Sequence, residues 1–283
     1  MAIVDNSRGA KVGAALRYSA LILAALLFLM PFYLLLRNAL MSENDLGSPK
    51  WHWLPPTWEW GNFSAIFNDP ALPMTRSLLN SIAISVFQTL GVLIISGLAG
   101  YGLARIPYRW SNAVFYLITA TLLIPAAVTF VPSFVLVSSL GWISTLRGLI
   151  IPGLFQALAT FLFRQFFLSF PKEIEEAAFL DGLGYWGTFW RVVVPNSYGF
   201  AAAIGTITFI GSWNAFLWPL VIGRDQATWT VQIALSTFLT AQSVNLSQLF
   251  AAALVAIAPL LLMFLFLQRW IVEGVERTGM GGD

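Results

Sequence analysis

The chain has 283 residues, of which 58% are hydrophobic and only 10% charged, with a mean hydropathy of +0.77. Soluble domains carry about 25% charged residues, so this composition excludes an ordinary soluble enzyme, a disordered chain and a nucleic-acid-binding module. The pI near 9.0 rests on a net charge of only +2 from scattered basic residues. There is no cysteine and a single histidine, His52, which removes disulfides, thiol nucleophiles and multi-histidine metal sites. The class this leaves is an all-α polytopic membrane protein.

Gaps between charges mark the spans, each of which needs about 20 apolar residues. In chain order they fall at Tyr18–Leu36, Leu78–Leu103, Ala113–Val137, Leu146–Leu168, Phe200–Val221 and Leu249–Leu267. The fourth has Arg147 and Arg164 close together, with both expected to snorkel to the interfaces. The runs are continuously apolar, unlike the alternating strands of a membrane β-barrel. The first span is too long for a signal-peptide core and no small-residue cleavage site follows it, so it is read as a retained helix.

Six spans put both termini on one side. That side would hold Arg8, Lys11, Arg17, Arg105, Arg109, Arg164, Lys172, Arg191, Arg269 and Arg277, and the other Arg37, Lys50, Arg76, Arg147 and Arg224. The positive-inside rule then predicts cytoplasmic tails at 1–17 and 271–283 around a permeating domain at 18–270. The outer loop, 37–76, carries Trp51, His52, Trp53, Trp58 and Trp60 around Pro55 and Pro56. It reads either as an aromatic belt at the headgroups or as a docking surface for an extracytoplasmic partner.

The cytoplasmic loop, 170–196, includes PKEIEEAAFLDGLGYWGTFWRVVVPN. Pro171 suits the start of a helix, and Glu173, Glu175 and Glu176 follow where the helix dipole favours acids. Gly182 fits the left-handed position just past the helix end. A second short helix follows, with Trp186, Phe189, Trp190 and Val193 at helical spacing, until Pro195 stops it. Such a loop either lies on the bilayer or inserts into a cytoplasmic partner. Local physics leaves both open.

Within the loop, Glu176-Ala177-Ala178, three residues, Gly182, nine residues, Val192, one residue, Val194-Pro195 resembles the EAA motif of ABC importer permeases, with valines where the family has isoleucine and leucine. The resemblance extends to Leu79-Asn80-Ser81 and Ala99 through Arg105 at the ends of span two. It also takes in residues 161–167, Trp213 through Pro219, and Gln268 through Gly274. Residues 16–275 are similar to the six-span subunit of maltose-type carbohydrate importers. That resemblance implies an inner-membrane transport subunit that is not itself an enzyme. Its partners would be a second homologous permease, a cytoplasmic ATPase pair holding ATP and magnesium, an extracytoplasmic solute-binding protein and membrane lipid. It implies a coupling element made of Glu175, Glu176, Ala177, Ala178, Asp181, Gly182 and Pro195, with Glu176 pairing with an arginine of the ATPase, and alternating access as the mechanism.

Two independent observations agree. No GxxxxGK[ST] is present, so no P-loop is encoded. Spans two, three, five and six have no ionisable side chain in their cores, where a self-contained secondary carrier would need one. An intramembrane enzyme would have to use His52, which lies in the outer loop. Asn80, Gln88, Gln156 and Asn214 are polar residues in or near spans. They either bond across helices or, with Trp213, Phe216 and Trp218, line a path for a hydroxyl-rich solute. The pairs Ser96 and Gly100, Ala201 and Gly205, and Ala252 and Ala256 predict close helix packing. Pro125, Pro132, Pro219 and Pro259 predict kinks. The expected solute is a di- or oligosaccharide. A glycerol phosphate ester is the alternative, with Arg147 and Arg224 as candidate anion contacts.

Overall fold

The computed structural model describes residues 8–240 and 245–279. The first seven residues of the expected N-terminal tail and the last four of the C-terminal tail lie outside the described residues. Those described form helices and connecting turns, with no strand among them. The labelled helices are α1 (Arg8–Ala39), α2 (Met74–Arg105), α3 (Ser111–Leu123), α4 (Ala126–Ser139), α5 (Leu146–Gly153), α6 (Ala157–Ser169), α7 (Lys172–Leu180), α8 (Tyr185–Asn196), α9 (Tyr198–Trp213), α10 (Leu217–Ile222), α11 (Val231–Thr240) and α12 (Leu246–Gly279). Three stretches, Gly13–Ala39, Met74–Arg105 and Leu246–Phe266, are long and apolar enough to cross a membrane. Three bent pairs also qualify, which gives up to six spans.

Several spans are bent, one of them at Pro125, where a kink is expected. The third span is broken between α3 and α4 by 100°, where Pro125 lacks an amide hydrogen and forces Ile124 into extended backbone. The fourth bends by 40° between α5 and α6. The fifth is interrupted at residues 214–216, which places Pro219 in the first turn of α10, where its missing N–H costs nothing. α9 instead continues from α8 through a 79° bend. α11 was not foreseen. Its ten residues, about 15 Å of helix, are too short to span a bilayer. α12, which holds the sixth span, runs past the expected start of the C-terminal tail to Gly279.

The chain divides into two compact units. The first comprises residues 1–69 with 238–255. In it, none of the apolar window of α1 is buried against the rest of the chain. The outer loop folds back on the end of α1. Asn62 donates from Nδ2 to the carbonyls of Ala39 and Met41, both at 3.0 Å, and the Tyr33 hydroxyl donates to the carbonyl of Trp53. Glu43 receives the amides of Leu246 (3.0 Å) and Ser247 (3.1 Å), two of the orphan donors at the start of α12. Burial pushes the Glu43 carboxyl upward, but these bonds together hold it below the ordinary range.

The second unit comprises residues 70–237 with 256–283. Its axis is α2, which pairs most extensively with α6 and next with α9. Small residues permit this. Gly100 lies directly on Phe163 of α6, and the Ser96 hydroxyl donates to the carbonyl of Gln156. Gly205 of α9 meets Leu93 and Thr89 of α2. The core at one end of α2 gathers Val92, Tyr101, Phe163, Phe167, Phe189 and Ile204. A smaller cluster further along joins Ile84, Val137, Leu149 and Ile222.

Candidate coupling and translocation sites

The loop after α6 has the shape its sequence predicts. α7 opens after Pro171 with Glu173 and Glu175 in its first turn. It closes when Gly182 turns left-handed at φ +81°. The amide of Leu183 reaches back to the carbonyl of Ala178, and that of Gly182 to Phe179, both at 3.0 Å. This paired closure satisfies carbonyls that a helix end otherwise leaves bare. In α8 the Val194 amide bonds to the carbonyl of Phe189, five residues back, so one turn is wider than normal. Pro195 cannot donate there. Asn196 and Ser197 side chains instead donate to the carbonyls of Val192 (2.7 Å) and Val193 (2.6 Å).

The four apolar residues expected on one face of α8 divide. Phe189 and Val193 enter the core, whereas Trp186 and Trp190 stay exposed with their rings 5.8 Å apart. The reason is Tyr101, whose ring lies 5.0 Å from that of Phe189 and draws it inward.

The motif acids divide in the same way. Glu176 points outward with Ala177, Asp181 and Gly182, beside Leu180, which is 89% exposed. Pro195 is also exposed. Glu175, one residue away and so about 100° around the helix, is buried with Ala178. Its carboxylate accepts from Nε of Arg105, the last residue of α2, at 2.9 Å. Burial pushes the Glu175 carboxyl up from its ordinary value, and Arg105 pulls it back only in part. Arg105 is a structural partner that sequence reasoning missed. Seventy residues separate it from Glu175, and the sequence marked it only as a charge ending an apolar run and as the last residue of the family-like run Ala99 through Arg105. Arg164, expected to snorkel, bonds to the exposed side chain of Asn112 (3.1 Å) and lies 3.9 Å from the Phe115 ring centre.

The polar residues of the spans serve different ends. Asn80 is buried, and its Nδ2 donates to the carbonyls of Ala227 (3.0 Å) and Trp229 (2.9 Å), pinning the segment before α11. Gln88 donates to Leu149 (2.8 Å) and accepts from Ser212 (2.6 Å), tying α2 to α5 and α9. Trp213 is buried, with its indole N–H on the carbonyl of Ala256 (3.1 Å). Gln156, Asn214 and Phe216 are exposed, and each sits at a helix break. Asn214 accepts from Gln232 at 3.2 Å. A cleft of about 370 Å³ is lined by Phe130, Phe134, Leu220 and Arg224, the guanidinium 5.8 Å from the Phe134 ring centre. No cluster of metal-ligating side chains occurs among the described residues.

This geometry can be set beside known proteins. The chain is 31% identical over 279 residues to the sn-glycerol-3-phosphate transport system permease protein UgpE of Yersinia pestis, covering 96% of this chain and 98% of that protein. It is 30% identical over 260 residues to the arabinooligosaccharides transport system permease protein AraQ of Bacillus subtilis, covering 91% and 92%. Its fold matches a chain from the crystal structure of a bacterial ABC transporter involved in the import of the acidic polysaccharide alginate. The TM-score is 0.81 at 21% identity, over 95% of this chain and 100% of the other. Residues 91–277, which hold the whole 170–196 loop and the helices around it, match the model of the binding-protein-dependent transport system inner membrane component, and the chain belongs to that family of ABC importer permeases.

Proposed function

We propose that this permease pairs with a second, homologous permease and that its 170–196 loop faces the cytoplasm and docks on an ATPase pair that holds ATP and magnesium. In this reading both termini are cytoplasmic, and a solute-binding protein delivers a di- or oligosaccharide from the opposite side. Glu176, Ala177, Asp181, Gly182 and Pro195 form the contact surface. Nucleotide-driven closure of the ATPases rocks the two permeases about a central path. Gln156, Asn214 and Phe216 are the candidates from this chain to line it. Asn80 and Trp213 support the wall from behind.

The observation that carries the reading is the exposure of Leu180 amid Glu173, Glu176 and Asp181. Phe179, Tyr185 and Trp186 are exposed close by in the same loop, and grouped exposed apolar side chains mark an interaction surface. The negative surface of a cytoplasmic leaflet attracts bases and repels acids, so a lipid-lying helix with three exposed acids at this place is disfavoured against a cleft in a protein. Recovery of the complex in mild detergent, with mass spectrometry of what is retained, tests it. The unmodified chain should bring down a second permease and a P-loop ATPase. Glu176→Lys should reduce ATPase recovery several-fold. Equal recovery from both would remove Glu176 from the contact.

Orientation has its own test, because the chain contains no cysteine. A cysteine at Ser48 should react with a membrane-impermeant maleimide on intact cells, and one at Glu173 only after lysis. The opposite pattern would invert the topology.

A second substrate reading is a glycerol phosphate ester. The specific observation is Arg224 in the cleft beside Phe130 and Phe134, a cation next to apolar rings, which suits a small anionic polyol. Parallel uptake of labelled glycerol 3-phosphate and labelled arabinotriose by proteoliposomes separates the two.

A further inference from the structure

Two adjacent glutamates in the coupling helix have opposite surroundings. Glu176 faces out, whereas Glu175 is almost fully enclosed, with the Arg105–Glu175 side chains 7% and 6% exposed. An enclosed carboxylate cannot be the partner's contact. Its environment belongs to this chain.

Arg105 is the last residue of a 32-residue helix. Its Nε holds Glu175 of α7, and its Nη2 donates to the carbonyl of Phe170, where α6 ends. One turn earlier on the same face, Tyr101 packs at 5.7 Å against Phe167 of α6 and at 5.0 Å against Phe189 of α8. The end of α2 therefore grips α6, α7 and α8 together. Buried ion pairs add little net stability compared with apolar pairs of similar size, and their best-attested use is to fix one arrangement. The bond is charge-assisted, short and directional, whereas the apolar contacts around it would tolerate sliding.

The geometry points to Arg105 and Glu175 as positioning residues that latch the coupling helix to the end of α2, so that a displacement of α7 by the ATPase is delivered to α2 as one rigid movement. This rests on the reading that the 170–196 loop docks on an ATPase. Glu176 then makes the contact and Glu175 transmits it. α2 is the helix on which α6 and α9 both pack, so its movement carries the second unit's core with it.

The test uses the complete reconstituted complex. Replacing both partners, Arg105→Met with Glu175→Met, strands no charge and so separates stability from position. This variant should retain its ATPase and its thermal midpoint. Stimulation of ATP hydrolysis by the solute-binding protein should fall about tenfold, the size expected of a lost coupling between two sites. The charge swap, Arg105→Glu with Glu175→Arg, should recover at least half of the loss. Glu175→Gln, nearly isosteric and able to keep one bond from Arg105, should give an intermediate loss and serves if the double variants do not fold. Unchanged stimulation in the Met/Met variant, or in Glu175→Gln when that is the one that folds, overturns the latch. So does dissociation of the ATPase from either, which would make Glu175 a docking contact. If the unmodified chain recruits no ATPase at all, the docking reading fails first and takes the latch with it.

Discussion

Replacing Gly100 with valine should abolish a stable fold, and replacing it with alanine should lower the unfolding temperature by several degrees. A Cβ at this position would sit 2.6 Å from the Cβ of Phe163 and 2.9 Å from the backbone nitrogen of Arg164. Neither atom belongs to a flexible tip that can swing away, so α2 and α6 must move apart. That pairing is the most extensive between helices among the described residues, and it buries Tyr101, Phe163 and Phe167. Overpacking of a tight core costs about 1–3 kcal/mol. Here the separation would also loosen the rings on either side. Gly102 supplies the control. It lies two residues further along α2, and a Cβ there meets nothing within 4 Å. Gly102→Ala should be neutral or stabilising by up to about 1 kcal/mol through helix propensity. Thermal unfolding of the purified permease in detergent reads both. Equal midpoints for Gly100→Ala and the unmodified chain would mean that the close approach of the two helices is not required.

The spacing of small residues announced that contact from sequence alone, because Ser96 and Gly100 repeat at the interval that keeps one face of a helix bare. The spans bounded by well-separated charges, the acidic helix after Pro171 and the turn at Gly182 were legible for similar reasons, each being a local rule applied to neighbouring residues. What escaped was set by distant partners. Pro125 signals a break, but the 100° between α3 and α4 depends on what each half packs against. Glu175 and Glu176 are chemically identical in a string of letters, and which one turns inward is decided by Arg105, far away in the chain. Phe189 parted from Trp186 because Tyr101 was there to receive it. Asn80 and Trp213 looked suited to a solute path by chemistry. Their hydrogen bonds go to the backbone of Ala227, Trp229 and Ala256, acceptors that periodicity does not reveal. α11 hid in the charge-free run 226–268 because Gln232, Ser236, Thr237 and Thr240 interrupt its apolar residues.

Gly182→Val should leave the permease folded and uncouple it. At φ +81° an L-residue with a Cβ is strained by roughly 1–2 kcal/mol, and a β-branched one is a true outlier there. Space is not the issue, because a Cβ at Gly182 would meet nothing within 4 Å. The strain is therefore relieved by unwinding the turn itself, which breaks the bonds from Gly182 to Phe179 and from Leu183 to Ala178. The last turn of α7 then loses the geometry that presents Leu180 and Asp181 next to Glu176, while Phe163, Phe167 and Tyr101 keep their packing. Thermal stability should drop by no more than a few degrees, in contrast to Gly100→Val. ATPase recovery in a pull-down and solute uptake should both fall at least about tenfold, a loss of some 1.4 kcal/mol in association. Gly182→Asn should fall between, since asparagine visits the left-handed region more readily than other L-residues. That graded series, glycine above asparagine above valine, is the signature of a backbone requirement. A valine variant that retains its ATPase and transports at the unmodified rate would show that the turn at Gly182 closes the helix and does nothing more.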